Sequence, residues 1–178
     1  MLGTEKTKTD YYDIAVKALF VFYLAAMTWI ILFKFALPEQ YYSIKTARVL
    51  NLIPFNDLLV GKPMSALETI GNIIIFIPFG IFISMLIEDK PVKDRVLLGM
   101  MLSICYETIQ FILSIGVADA TDVLTNTAGC AVGIGLYILM KKIIRSEFKM
   151  RRFVVICSAA VCVPSMAMLP MLSTMWIK

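Results

Sequence analysis

Glu107 and Gln110 stand three residues apart, and Asp122 and Asn126 four apart, in stretches that are otherwise almost wholly apolar. Residues at these spacings share a helix face, so each pair presents polar groups on one side of its helix. Asp119 precedes the second pair, Asn72 sits in an earlier apolar stretch, and Asn51 lies in a short block before that. A charged side chain at the centre of a membrane helix costs about 2.5–3.5 kcal/mol. Interhelical hydrogen bonds from neutral amides return roughly 0.6–2 kcal/mol. An amide would hold helices together as well as Glu107 does, at lower cost, so Glu107 points to a role beyond glue. For Asn72 and Asn126 taken singly, glue is the simpler role.

Two carboxylates in different surroundings can divide general-acid and general-base work. Glu107 and Asp122 are therefore the catalytic candidates if the protein turns over a lipid-borne amide, ester or phosphate. An activated nucleophile is not evident. The chain has no histidine, which excludes Ser-His-Asp triads, Cys-His dyads and His-ligated zinc. Ser114, Thr121 and Thr125 have no well-placed lysine beside them. A divalent cation held by Glu107, Asp119 and Asp122 would serve the same chemistry, since hard cations accept all-oxygen sites; otherwise no metal or cofactor is expected. Cys105, Cys130, Cys157 and Cys162 fall in apolar runs without C-x-x-C spacing and read as small buried hydrophobes.

The elements that must position these groups follow from hydropathy. Of 178 residues, 60% are hydrophobic and 17% charged, with mean hydropathy +0.82. A soluble domain is about half apolar and a quarter charged, and the excess here sits in long blocks. A spanning helix needs about 20 mainly apolar residues. Five such blocks, 14–37, 66–87, 96–115, 123–140 and 153–175, predict an all-α polytopic membrane bundle forming one domain over residues 1–178. The first is too long for a signal peptide and lacks a small-x-small cleavage site. Ser65 and Glu68 read as a capping box, Pro78 as a kink, Gly116 as a C′ residue, and Thr121 or Asp122 as an N-cap. Gly129, Gly133 and Gly135 read as close-packing positions. The block 49–59 is too short to span, and is expected to be a re-entrant or interfacial segment forming a lid or wall.

Orientation follows from Lys and Arg in short loops. Twelve lie on the side of Lys6, Lys90 and the Lys141–Arg152 run, against five on the other. The N-terminus is expected in the cytoplasm and the C-terminus outside, in a multi-pass plasma-membrane protein. Every costly polar residue then falls in the outer half. The basic run is explained by topology, and nothing points to nucleic acid as a partner.

Four motifs occur in order: Asn51-Leu52-Ile53-Pro54-Phe55; Gly71-Asn72 running to Ile77-Pro78-Phe79-Gly80; Glu107-Thr108-Ile109-Gln110; and Gly116-Val117-Ala118-Asp119 leading into Asp122-Val123-Leu124-Thr125-Asn126-Thr127-Ala128-Gly129. Over residues 49–140 they resemble the VanZ-like family of small bacterial membrane proteins. Its best-known members are associated with resistance to teicoplanin, a lipidated glycopeptide that acts outside the membrane. Many members carry an arginine between the Glu-x-x-Gln and Asp motifs. Val117-Ala118 occupies that stretch here, so any such role falls to another residue, such as Arg48 or Lys62.

Three readings are open. A binding or shielding module would use Asn51, Asn72, Glu107, Gln110, Asp119, Asp122 and Asn126 in an outward-facing pocket. Its ligand would be a membrane lipid, a lipid-linked cell-wall precursor or a lipoglycopeptide. An intramembrane enzyme would use Glu107 or Asp122 as acid or base. A carrier would need polar residues through both leaflets, and the inner halves are almost purely apolar. Neither the ligand nor the oligomeric state follows from the sequence.

Overall fold

The computed structural model describes residues 2–33, 49–61, 65–115 and 117–158. In chain order the elements are α1 (Leu2–Phe33), β1 (Val49–Asn51), α2 (Asn56–Leu59), α3 (Ser65–Leu86), α4 (Val92–Leu113), β2 (Val117–Asp119) and α5 (Ala120–Ile143), with a further helical stretch over 147–158. Four of these helices are long and apolar enough to cross a membrane: Tyr11–Leu32, Ala66–Leu86, Val92–Leu113 and Ala120–Ile143. Only helices with all backbone bonds made internally, or closed barrels, are tolerated in hydrocarbon. Large apolar side chains such as Ile74, Met101, Ile112, Leu124 and Val132 point outward, as a lipid-facing surface requires. The fold is the expected all-α membrane bundle. The expected fifth span, 153–175, lies mostly outside the described residues, as do Arg48, Lys62 and Cys162.

Helix ends differ from the hydropathy reading for local reasons. α4 starts at Val92, just after Pro91, whose φ of −56° and ψ of 151° suit an N-cap. Its first turn, Val92-Lys93-Asp94-Arg95, is helical although it is largely charged, because hydropathy locates the apolar block and not the cap. At the other end Ser114, with φ 55° and ψ 36°, closes α4 in the left-handed conformation; Gly116, expected as the C′ residue, lies outside the described residues. Asp119, rather than Thr121 or Asp122, caps α5, its Oδ1 accepting from the Thr121 N–H at 2.7 Å. α3 runs unbroken through Pro78.

The chain divides into two compact units. One comprises Leu24–Leu139. The short connections 87–91 and 114–116 make α3, α4 and α5 sequential antiparallel neighbours. α3 and α5 then run parallel, and backbone packs against backbone along them. A Cβ added at Gly129 would clash with the Ile73 carbonyl, and one at Gly133 with the Ile77 carbonyl; at Gly80 it would strike the Cys130 carbonyl. Small residues allow this approach in membranes, where packing replaces the hydrophobic drive. Gly135 does not take part, since nothing lies within 4 Å of a Cβ there. Phe76, Phe79, Phe82, Cys130 and Ile134 fill the buried interior. Thr28 on α1 shares a 2.8 Å hydrogen bond with Tyr106 on α4.

At one end of this unit β1 pairs in parallel with β2, Val49 opposite Val117 and Asn51 opposite Asp119. The block 49–59 is therefore a strand, a turn and one helical turn. It does not span, as expected, but the strand pairing was not expected.

The other unit comprises Met1–Tyr23 and Met140–Lys178. Within its described part, Arg151 pairs with Asp13 and, at 2.8 Å, with Glu147, while Lys17 reaches Asp13 at 2.7 Å. Tyr12 and Phe148 meet edge to face with centroids 5.3 Å apart. Burial opposes the Arg151 charge, but the Glu147 and Asp13 carboxylates outweigh it and hold the guanidinium above its ordinary pKa.

Candidate functional site: a polar-walled cavity

The polar residues of α3, α4 and α5 converge where the helices leave the strand pair. They surround a cavity of about 290 Å³, with Glu68 and Asn72 from α3, Glu107 and Gln110 from α4, and Asp122 and Asn126 from α5. Ile30 and Ile31 of α1, with Leu67, Gly71 and Ile75, complete the lining. Pockets of this kind, apolar with a few convergent polar groups, are the usual form of small-molecule sites.

One edge of the cavity is fixed by a hydrogen-bonded brace. Glu107 Oε2 accepts from the Asp119 N–H at 2.8 Å, and Asp119 Oδ2 accepts from Asn51 Nδ2 at 2.9 Å. Asn51 Oδ1 in turn accepts from the Ile53 N–H at 3.3 Å. The Phe55 N–H donates to Thr121 Oγ1 at 2.9 Å. That bond holds Phe55 at φ 59°, a conformation that costs a bulky residue on the order of 1–3 kcal/mol. The Asn51 amide is engaged at both ends, and Asp119 uses both carboxylate oxygens and its N–H.

Also in the lining, Gln110 Nε2 donates to the Ile31 carbonyl at 2.9 Å, tying α4 to α1. Asn126 Nδ2 donates to Ser103 Oγ at 2.8 Å, tying α5 to α4. Gln110 is 3% exposed, Asn126 1% and Glu107 7%. Gln110 Oε1 and Asn126 Oδ1 are buried and have no hydrogen-bond partner.

Of the seven residues singled out from sequence, the cavity gathers Asn72, Glu107, Gln110, Asp122 and Asn126. Asn51 and Asp119 stand beside it in the brace. None of the described lining residues comes from the block 49–59, which braces the edge of the cavity through Asn51. Among the described residues no group of three or more His, Cys, Asp or Glu is placed to hold a metal ion, and Glu107, Asp119 and Asp122 do not assemble one. The expectation that all costly residues crowd one end needs correction. Ser84 and Arg95 are buried toward the other end, and Ser84 Oγ with Arg95 Nε and Nη1 lack partners. Arg95 escaped because it was grouped with the loop charges, whereas it occupies the first turn of α4. Glu68 was read only as a helix cap and Thr121 only as a cap or an unactivated hydroxyl, while Ser103 carries no sequence signal beyond being a small hydroxyl residue.

Fold and site together define an integral membrane protein whose helices border a small, mostly apolar cavity on which a few polar groups converge. The family model described as VanZ/LLP1 matches residues 20–141. The chain is also 36% identical over 130 residues to Protein VanZ of Enterococcus faecium, a match covering 71% of this chain and 75% of the relative. The chain belongs to the VanZ-like family. The matched region begins at residue 20 and so takes in much of the first span, beyond the 49–140 stretch that carries the motifs. No solved structure matches the chain.

Proposed function

We propose that the protein binds or shields a cell-envelope lipid, a lipid-linked cell-wall precursor or a lipoglycopeptide, with teicoplanin-type resistance as the cellular consequence. The supporting observation is the convergence of Glu107, Gln110, Asp122 and Asn126 on one cavity. Drug-sized ligands occupy about 300–1,000 Å³, so a cavity of about 290 Å³ suits a head group whose apolar remainder stays in lipid. Gly71 makes the test clean, because it lines the cavity and a Cβ there would meet nothing within 4 Å. Gly71→Leu should fill the cavity without disturbing helix packing. Wild-type protein in nanodiscs should bind labelled precursor, phospholipid or teicoplanin saturably and leave its mass unchanged, and Gly71→Leu should lose that binding. Undiminished binding by the variant would contradict the reading. Turnover that disappears in Glu107→Gln would replace it with the enzyme.

The cavity faces the outside if the excess of Lys and Arg in the remaining loops sets the topology. With Cys105 and Cys157, both exposed thiols, first replaced, an impermeant maleimide should label Val117→Cys in intact cells and spare Lys149→Cys. The reverse pattern would turn the site to the cytoplasm.

A further inference from the structure

We propose that Arg95, at the end of α4 away from the cavity, holds a phosphate in a binding event separate from the cavity's. Arg95 is 6% exposed, and among the described residues its side chain has no hydrogen-bond or ion-pair partner. Nε and Nη1 are enclosed, so Nη2 is the nitrogen it presents. A guanidinium keeps its proton in proteins, so its burial is the burial of a charge. Such a charge is costly until something compensates it. The carboxylates nearest in sequence do not. Asp94 is the adjacent residue and faces another side of the helix. Glu88 accepts from the Tyr137 hydroxyl at 2.9 Å, and Asp89 pairs with Lys90 at 3.5 Å. Ser84 Oγ, near the end of α3, is buried without a partner as well.

A second feature of the same place calls for an anion independently. No side chain caps the start of α4. The Asp94 and Arg95 N–H groups turn back to the Pro91 carbonyl at 3.1 and 3.3 Å, which leaves those of Val92 and Lys93 unpaired. A helix gathers roughly half a positive charge at this end, and its first N–H groups are ready donors to phosphate. Helix side chains lean back over the preceding turn, so the Arg95 guanidinium lies over that first turn. A cation there is itself unfavourable beside the helix dipole, and a bound anion satisfies both. The planar guanidinium matches phosphate geometry, and the exposed Lys93 adds a further charge. The spans Ala66–Leu86 and Val92–Leu113 end and begin here, at the depth where lipid phosphates lie. The phosphate has two sources, the head group of an anionic phospholipid or a free phosphate from the aqueous phase.

The probes are phosphatidylglycerol, phosphatidylcholine and inorganic phosphate. Each is titrated against delipidated full-length protein by native mass spectrometry and by melting temperature in detergent. Phosphatidylglycerol should bind at least about tenfold more tightly than phosphatidylcholine, whose choline already balances its phosphate. Arg95→Met should bring the two lipids level, and Arg95→Lys, which keeps the charge, should retain part of the preference. Gly71→Leu, which fills the cavity, should keep it in full. The lipid preference identifies the head group as the source. Without that preference, a melting temperature raised by inorganic phosphate in wild type and not in Arg95→Met identifies free phosphate. Neither response in wild type, or phosphatidylglycerol bound equally well by Arg95→Met, would overturn the inference and leave water to compensate the guanidinium. A preference lost in Gly71→Leu and kept in Arg95→Met would put the phosphate in the cavity, overturning this inference and leaving the binding reading intact.

Discussion

Helices α3 and α5 behave in opposite ways beside the strand pair and at mid-length. Near the strand pair, α3, α4 and α5 present Asn72, Glu107, Gln110, Asp122 and Asn126 and leave a cavity between them. Further along, Gly80, Gly129 and Gly133 let α3 and α5 approach until backbone meets backbone. The difference shows how a short membrane chain makes a site. Tight glycine contact at mid-length holds the two helix axes together, so hydrogen-bonded polar side chains can keep an opening beside it without collapse. Rigidity and opening are separate jobs here, given to different residues of the same helices.

The largest expected effect comes from the close glycine contact. Gly133→Val places side-chain carbons against the Ile77 carbonyl and the Gly80 Cα, and backbone cannot yield as a flexible side chain would. We expect a loss of about 3 kcal/mol, the upper end for overpacking, seen as aggregation in fluorescence-detected size exclusion. Gly135→Ala, at an open position, should match wild type. Equal tolerance at both sites would dissolve the contrast between close contact and opening.

At the cavity end, Glu107→Ala strands the Asp119 N–H and should cost about 1–3 kcal/mol, loosening the brace to Asn51. Glu107→Gln keeps an oxygen for that bond, so its melting temperature in detergent should stay near wild type while ligand binding falls. A Gln variant with full binding would reduce Glu107 to a structural acceptor.

Arg95 tests the opposite sign. Its Nε and Nη1 are buried without partners, and replacing an unsatisfied buried group by an apolar one of similar length removes its desolvation penalty. Arg95→Met should therefore raise thermal stability by about 1 kcal/mol and leave binding at the cavity unchanged. A marked loss of stability would show that the guanidinium is held by an interaction that outweighs its burial.

The smallest effect should come from Tyr137→Phe, which deletes a 2.9 Å bond to Glu88 far from the cavity. About 0.5–1.5 kcal/mol is expected, with no change in ligand binding.

What could be read from the sequence follows from what membranes penalise. The spans were legible because hydrocarbon demands long apolar helices, and Glu107, Gln110 and Asn126 were legible because polar groups there are costly. The strand pair was not, since three residues at Val49–Asn51 acquire meaning only from partners 68 positions away. Gly133 and Gly135 look alike in sequence, yet only the first faces α3. Gly80 has no second glycine within a turn of it on α3 to announce it. Arg95 was lost among loop charges because hydropathy cannot tell a helix's first turn from the loop before it. The cavity itself is a property of packing between helices, and periodicity reports only which residues share a face.

The central claim, that the protein acts through the cavity on which these polar groups converge, is tested most directly by teicoplanin susceptibility. A sensitive host would express wild-type protein, Gly71→Leu or Tyr137→Phe at equal levels in the membrane. Wild type and Tyr137→Phe should raise the inhibitory concentration to the same extent, and Gly71→Leu should return it to that of the empty vector. Protection by Gly71→Leu equal to wild type, or none by wild type itself, would contradict the account.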